Sequence, residues 1–157
     1  MKRFTMLGRL AAATLAVVAL ASPLAAQGGQ PWIQTAVGEI VGVGEDGALL
    51  VAFSGQDNRL GRYTAVGKIK LAPTDPTGLS YTSSGVMTAA SGDQLFYEGE
   101  GTLHPIGTNS HLPLPFTETL TVTGGTGRFR HAGGWAYVNG IGRGITFHTI
   151  HKGELSY

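Results

Sequence analysis

Two glutamates carry the side chains best placed to do chemistry, because each stands among apolar residues in a strand-like run. The apolar residues two and four positions away are Val37, Val41 and Val43 for Glu39, and Phe116, Leu120 and Val122 for Glu118. Side chains at period two share one face of a strand, so both carboxyl groups are predicted to face a dry interior. A carboxyl group there can give or take a proton, or stabilise charge in a ligand. A register slip of one residue would return either glutamate to water.

The five histidines are the next candidates, and all of them lie in the C-terminal half of the chain. They are His104, His111, His131, His148 and His151. His148 and His151 stand three apart in a predicted strand, so their side chains project from opposite faces and cannot share one metal ion. The other three have no ligand-like spacing. We therefore predict no metal site and no cofactor.

Nucleophilic and dinucleotide chemistry have little support in the sequence. The chain has no Cys, and its Ser and Thr residues lack the strand-to-helix elbow of the G-x-S-x-G type. The run Gly42–Gly47 matches the fingerprint G-x-G-x-x-G letter for letter. That fingerprint must open a helix, whereas the apolar, strand-like run Ala48–Phe53 follows it here. We interpret Gly42–Gly47 as a hairpin turn.

The elements that must position these residues are strands, because glycine is frequent throughout the chain. Gly supplies 25 of the 157 residues, more than twice its average usage of about 7%. Each Gly costs a helix interior about 1 kcal/mol relative to Ala. Runs rich in Val, Ile, Thr and aromatic residues predict strands instead. The predicted strands are Ile33–Val43, Ala48–Ser54, Tyr63–Leu71, Leu79–Ala89, Gln94–Leu103, Phe116–Thr123, Trp135–Asn139 and Gly144–His151.

The connections favour an antiparallel order, since Glu45–Gly47 and Ser91–Asp93 are short, polar turns that contain glycine. Eight antiparallel strands without a covering helix either pack as a sandwich or close into a barrel, and closure also removes the exposed edges. We predict an all-β fold, an eight-stranded antiparallel closed barrel. Phe129 is expected to plug one end of its core, and Glu98 and Glu100 to lie on a solvated outer stripe.

The N-terminus has the pattern of an export signal. Three basic residues within the first nine precede the uncharged, apolar run Leu10–Ala21, which is too short to span a bilayer core. Small residues then mark a cleavage zone. We predict a signal peptide over residues 1–26, a single domain over residues 27–157, and export to the periplasm or the extracellular medium.

The charge of the predicted mature domain argues against a nucleic-acid partner. The chain has 11 basic and 10 acidic residues, and removal of the three basic residues of the signal peptide leaves a net acidic domain. Without Cys, the fold must rely on its core or on a closed sheet rather than on disulfides. We expect a small hydrophobic molecule as the partner, no nucleic acid and no stable membrane anchor in the mature form. A homo-oligomer stays open.

The most distinctive stretch is the glycine-rich segment Thr121–Gly134, with the sequence TVTGGTGRFRHAGG. Together with Ser91–Gly101, SGDQLFYEGEG, it resembles the allene oxide cyclase barrel family, whose members share a T-G-G-x-G-x-F-x-x-A-x-G signature. The resemblance covers most of residues 37–154. It implies an eight-stranded antiparallel barrel of calycin type with an apolar cavity, in which the plant members close a reactive fatty-acid epoxide.

The resemblance also implies a role for Glu39. The plant cyclases carry a glutamate in their first strand, and Gly38–Val41 resembles the motif around it, which makes Glu39 the candidate catalytic residue. Val41 stands where the family has a water-holding Asn, and the family's cavity Cys has no counterpart here. We therefore expect the barrel to carry over and the plant-type cyclase activity not to. The side chains expected to bind a ligand are Glu39, Val41, Glu118, Phe53 and Tyr97.

The sequence favours an exported barrel that binds a small apolar ligand in its cavity. The first alternative is an isomerase or cyclase of allene oxide cyclase-like type, acting on a hydrophobic substrate in the same cavity. The second is a non-catalytic structural or oligomeric surface protein. An open apolar cavity would favour ligand binding or catalysis, and an interior filled by aromatic side chains would favour the structural role.

The predicted signal peptide can be tested on protein recovered from its own host. We expect the mature chain to begin at Gln27 or within a few residues of it, because the small residues before that position suit a signal peptidase. N-terminal sequencing of the exported fraction measures this directly. Mature protein that retains Met1 would contradict the prediction.

Overall fold

A computed structural model of the protein describes residues 28–72, 79–107 and 112–157. The predicted signal peptide over residues 1–26 and the predicted loop histidine His111 lie outside the described residues. Within the described ranges, the only helix is a short 3-10 helix, Gly127–Phe129, so the fold is all-β as predicted.

The described residues contain eight strands. They are β1 (Gln30–Val43), β2 (Leu49–Asp57), β3 (Gly61–Leu71), β4 (Ser80–Ala89), β5 (Gln94–Leu103), β6 (Leu114–Gly125), β7 (Gly133–Arg143) and β8 (Thr146–Ser156). Each strand pairs antiparallel with the next, and β8 pairs with β1 to close a barrel. The prediction of a closed eight-stranded barrel rather than a sandwich is therefore confirmed.

All eight predicted strands are present, and most are longer than the sequence indicated. β7 and β8 extend well beyond Trp135–Asn139 and Gly144–His151, through glycines that the prediction treated as strand ends. Strand pairing on both sides supplies hydrogen bonds that offset the low strand propensity of Gly. The run Gly42–Gly47 forms the end of β1 and a hairpin turn, in which the Gly44 amide donates to the Ala48 carbonyl at 2.8 Å.

The two faces of β1 are opposite to those predicted. Trp32, Gln34 and Ala36 are buried in the barrel, whereas Glu39 is exposed on the outer face with its neighbouring valines. The exposed fractions of Val37, Val41 and Val43 are 52%, 57% and 66%. The prediction that Glu39 and Val41 face the cavity is therefore wrong, and the error is the one-residue register slip that flips every side chain of a strand.

The reason for this choice of face lies in the neighbouring strands. Gly38 faces inward between Phe53 of β2 and Phe147 of β8, where an added Cβ would overlap Phe147 and lie 2.5 Å from the Phe53 Cβ. Aromatic rings from both sides fill the space, so only small residues of β1 fit at this level of the interior. The larger Glu39 must lie outside.

One end of the barrel is filled by a compact apolar core. Trp32, Phe129 and Leu155 have no exposed surface, and Leu60 and Ala132 pack with them. Phe129 lies in the 3-10 helix after the glycine-rich turn, so its predicted role as a plug is confirmed. The predicted outer stripe is also confirmed, because Glu98 and Glu100 are exposed.

Inward-facing glycines make room for inward-facing rings around the whole barrel. A Cβ added at Gly55 would overlap the Thr35 carbonyl and lie 2.6 Å from the Tyr63 hydroxyl. A Cβ added at Gly67 would lie 2.6 Å from the Tyr97 hydroxyl. The high glycine content therefore has a packing cause, since each ring lies over a position without a side chain.

This packing predicts different costs for two glycine-to-alanine changes. Gly55→Ala should lower the free energy of unfolding by about 1–3 kcal/mol, because its methyl group meets a backbone oxygen that cannot move away cheaply. In the matched control, Gly142→Ala, the nearest atom lies 3.6 Å from the new Cβ. The control should change stability by less than about 1 kcal/mol. Urea unfolding curves give both values, and equal losses in the two variants would contradict the packing argument.

Candidate functional site

The end of the barrel opposite Phe129 holds a cavity of about 180 Å³. It lies where β1, β3, β5 and β7 end and where β2, β4, β6 and β8 begin. Most of its lining is aliphatic or aromatic. The aromatic residues that line it are Phe53, Tyr81, Tyr97, Phe116 and Phe147, and the aliphatic ones include Ile40, Leu49, Val51, Ile69, Leu103, Leu114, Leu120, Val138 and Ile145.

The aromatic rings form a connected belt around this cavity. Phe147 contacts Phe53 and Phe116 edge to face, with ring centroids 6.1 Å and 6.5 Å apart. Tyr81 contacts Phe116 and Tyr97 contacts Phe53 in the same way, each at 6.5 Å. Because edge-to-face pairs hold each other in place, the belt gives the cavity a defined wall.

One part of the wall is polar, and Glu118 of β6 is its centre. The Tyr81 hydroxyl donates a hydrogen bond to Glu118 Oε2 at 3.3 Å, and the Ser83 hydroxyl donates to Oε1. Both hydroxyls belong to β4, and they reach across β5 because its inward positions there are Gly99 and Gly101. We call Tyr81, Ser83 and Glu118 the cavity cluster.

Burial makes the carboxyl group of the cavity cluster a weak acid. Desolvation raises the pKa of Glu118, and the hydrogen bonds from Ser83 and Tyr81 oppose that rise without cancelling it. Desolvation also raises the pKa of the Tyr81 and Tyr97 hydroxyls, with a further contribution from the charge of Glu118. The carboxyl group therefore stays protonated to a higher pH than it would in water. In its protonated form it can donate a hydrogen bond.

A second polar group lies on the β8 side of the cavity. His151 is 4% exposed, its Nδ1 bonds to the Gln34 amide nitrogen, and its Nε2 lies 2.9 Å from the Thr149 hydroxyl. Burial lowers the pKa of His151 to about 4. The imidazole is neutral at pH 7 for this reason, with one nitrogen protonated and the other an acceptor.

Strand register connects these groups into one row along the inside of the barrel. Glu118 pairs with Val138, Val138 with His151, and His151 with Gln34. Neighbouring strands lie about 4.8 Å apart, so the backbones of Glu118 and His151 are about 10 Å apart along the sheet. Both side chains point inward, which places a weak acid and a neutral imidazole in one cavity, with both imidazole nitrogens hydrogen-bonded to protein side chains.

The same row ends in the filled part of the barrel at Asp57. Trp32 Nε1 donates to Asp57 Oδ2, and the Leu60 amide donates to Oδ1 at 2.9 Å. Desolvation raises the pKa of Asp57, and these hydrogen bonds oppose the rise. Asp57 does not line the cavity, so it serves to hold the β2–β3 turn against Trp32 rather than to contact a ligand.

The structure brings together three of the five predicted ligand-binding residues. Glu118, Phe53 and Tyr97 line the cavity, whereas Glu39 and Val41 lie outside the barrel. Sequence reasoning missed Tyr81, Ser83 and His151. The signal for His151 was available, because the charged residues Lys152 and Glu154 alternate with it and mark the outer face of β8.

The predicted geometry of the two C-terminal histidines is confirmed, since His148 is exposed and His151 is buried on opposite faces of β8. Among residues 28–72, 79–107 and 112–157, no group of three His, Asp or Glu side chains is placed to hold a metal ion. No helix in these ranges is long and apolar enough to cross a membrane.

Comparisons of the chain with protein-family models, with curated proteins and with solved structures give no match. The resemblance to the allene oxide cyclase barrel family therefore stays a prediction.

The buried imidazole predicts a specific loss of stability in acid. The unfolded chain protonates His151 near pH 6.5 and the folded chain near pH 4, so the contribution of this residue to the free energy of unfolding falls as the pH drops through that range, whereas the raised pKa values of Glu118 and Asp57 act in the opposite direction. At about 1.4 kcal/mol per pKa unit, the loss from this residue is about 3 kcal/mol. His151→Gln should remove most of this loss from the pH profile of urea unfolding.

The matched control is His148→Gln, on the outer face of the same strand. It should leave the wild-type pH profile unchanged between pH 6.5 and pH 4. Identical profiles for the wild type and both variants would show that burial of His151 does not oppose its protonation.

Proposed function

We propose that this barrel binds a small apolar molecule in the cavity beside the cavity cluster. The observation that carries the proposal is the lining, which is aromatic and aliphatic except for a few polar groups, chiefly the cavity cluster on β4 and β6 and the side chains of Thr149 and His151 on β8. Small-molecule sites have this composition, because apolar surface supplies affinity and a few polar groups fix orientation. An engineered apolar cavity of about 150 Å³ accommodates benzene, so the ligand, or its buried part, has about the size of one ring.

The state of the interior supports binding over a purely structural role. Side chains fill the half of the barrel around Trp32 and Phe129. The other half contains the unfilled cavity of about 180 Å³, although five aromatic residues surround it. Edge-to-face contacts hold those rings against the wall and leave the centre to a ligand.

An isomerase or cyclase acting in the same cavity is the second candidate function. Glu118 favours it, because a buried carboxyl group with a raised pKa can give a proton to a substrate in a dry site. Native mass spectrometry of protein purified from its own host separates the two functions. An unaltered retained ligand supports binding, and conversion of that ligand on incubation with fresh protein supports catalysis.

We further propose that the chain is exported and that its barrel is of the allene oxide cyclase-like, calycin type. Support for the family comes from the closed antiparallel barrel and from the burial of Phe129 directly after the glycine-rich turn. The position of Glu39 on the outer face argues that any chemistry differs from that of the plant cyclases, since this glutamate cannot reach the cavity.

Ethylbenzene is a suitable first probe for the proposed binding. We expect it to shift the methyl resonances of Val51, Leu120 and Val138 saturably, because these residues surround the cavity. Ile69→Trp should weaken binding by about tenfold or more, because Ile69 lines the cavity and the larger side chain fills part of its volume. Nuclear magnetic resonance titration of a methyl-labelled sample gives the dissociation constant for each protein.

The control variant is Val66→Trp, which places the same side chain on the outer face of the same strand, where Val66 is 62% exposed. It should bind ethylbenzene as the wild type does. Absence of saturable shifts in the wild type, or equal weakening by both variants, would contradict binding in the cavity.

A further inference from the structure

The charges around the cavity restrict the chemistry of its ligand. Among the described residues that line it, none is Lys or Arg, and Glu118 is the only carboxylic acid. The remaining polar side chains in the lining are the hydroxyls of Tyr81, Ser83, Tyr97, Thr146 and Thr149 and the neutral imidazole of His151. An anionic ligand would therefore lose its hydration without gaining a cationic partner, which is costly in an apolar site.

The hydrogen bonds of the cavity cluster show what it can offer. When Glu118 is protonated, the cluster has three O–H hydrogens, one each on Tyr81, Ser83 and Glu118. Only two hydrogen bonds join its members. Nothing else in the described chain accepts a hydrogen bond from these three side chains, so one O–H is left to donate into the cavity.

The ionised form of the cluster lacks this capacity. Without the carboxyl hydrogen, the hydroxyls of Tyr81 and Ser83 supply both hydrogen bonds and no donor is left over. The negative charge would also face an apolar cavity with no cation in its described lining. Burial disfavours that form and raises the pKa of Glu118.

We propose that the ligand is a neutral molecule that accepts a hydrogen bond from the cavity cluster through a carbonyl or ether oxygen. The inference rests on the proposed function, binding in the cavity, and adds the chemical class of the ligand. Carboxylates and phosphates are rejected because no described lining residue can pair with their charge. The donor orients the ligand, since the rest of the wall near Glu118 is aromatic and aliphatic.

Three single-ring probes of similar size separate these features. Ethylbenzene offers only apolar surface, acetophenone adds a carbonyl acceptor, and benzoate adds a negative charge. We expect ethylbenzene and acetophenone to bind the wild-type protein at pH 7, and benzoate to bind at least tenfold more weakly than acetophenone. The same methyl resonances and titrations serve for all three probes.

Two variants test the role of the cavity cluster. The combined change Tyr81→Phe, Ser83→Ala and Glu118→Leu removes every donor of the cluster. It should weaken acetophenone relative to ethylbenzene by about tenfold, the effect of one buried hydrogen bond. Glu118→Gln keeps a donor on its amide nitrogen and should retain the wild-type preference. Binding of ethylbenzene verifies that the cavity of each variant is intact, and if the triple variant fails to fold, the combined change Tyr81→Phe, Ser83→Ala and Glu118→Met, which also leaves no donor in the cluster, takes its place.

The outcomes distinguish the inference from the function on which it rests. If none of the three probes binds the wild type, the proposed binding function fails and the inference fails with it. If ethylbenzene binds but benzoate binds as tightly as acetophenone, only the inference is overturned. An unchanged ratio of acetophenone to ethylbenzene affinity in the variant without donors also overturns it.

Discussion

The packing of aromatic rings over glycines is the constraint on which the rest of this structure depends. An eight-stranded barrel has a narrow interior. In this barrel, aromatic rings are accommodated where the paired residue of the neighbouring strand is a glycine. Gly55 faces Tyr63 in this way, and Gly101 faces Tyr81. At the end near Phe129 the side chains meet and fill the barrel, whereas at the other end the rings lie against the wall. The cavity is the space that this arrangement leaves.

Inward-facing glycines also make the polar part of the cavity wall possible. Glu118 can reach Ser83 only because Gly99 lies between them, and an added Cβ at Gly99 would lie 2.6 Å from the Ser83 Oγ. A side chain on β5 at that level would separate the carboxyl group from both hydroxyls. Apolar packing and the polar site are therefore not independent, since one set of missing side chains provides the space for both.

The sequence predicted the fold far better than the site, and β1 and β6 show why. Strand patterns and turn residues indicate closure, but the inner face of a strand depends on its neighbours. In β6 the positions that alternate with Glu118 are all threonines and mark the outer face, so Glu118 was assigned correctly to the inner face. They are Thr117, Thr119, Thr121 and Thr123. In β1 both faces are uncharged except for Glu39, and the valines made the outer face appear apolar. Only the rings of Phe53 and Phe147, distant in sequence, exclude Glu39 from the interior.

Burial shifts the pKa values of two cavity residues, Glu118 and His151, in opposite directions, and in both residues it disfavours the charged form. It raises the pKa of Glu118 and lowers that of His151, so each group is driven towards its uncharged form. An ion pair between them would need both charges in a site whose described lining contains no other charge. Their separation by Val138 and the hydrogen bonds of His151 to Gln34 and Thr149 keep them from pairing directly. A cavity in which burial disfavours charge on its own carboxyl and imidazole groups also disfavours charged ligands, because no other charged side chain of the described lining is there to pair with them.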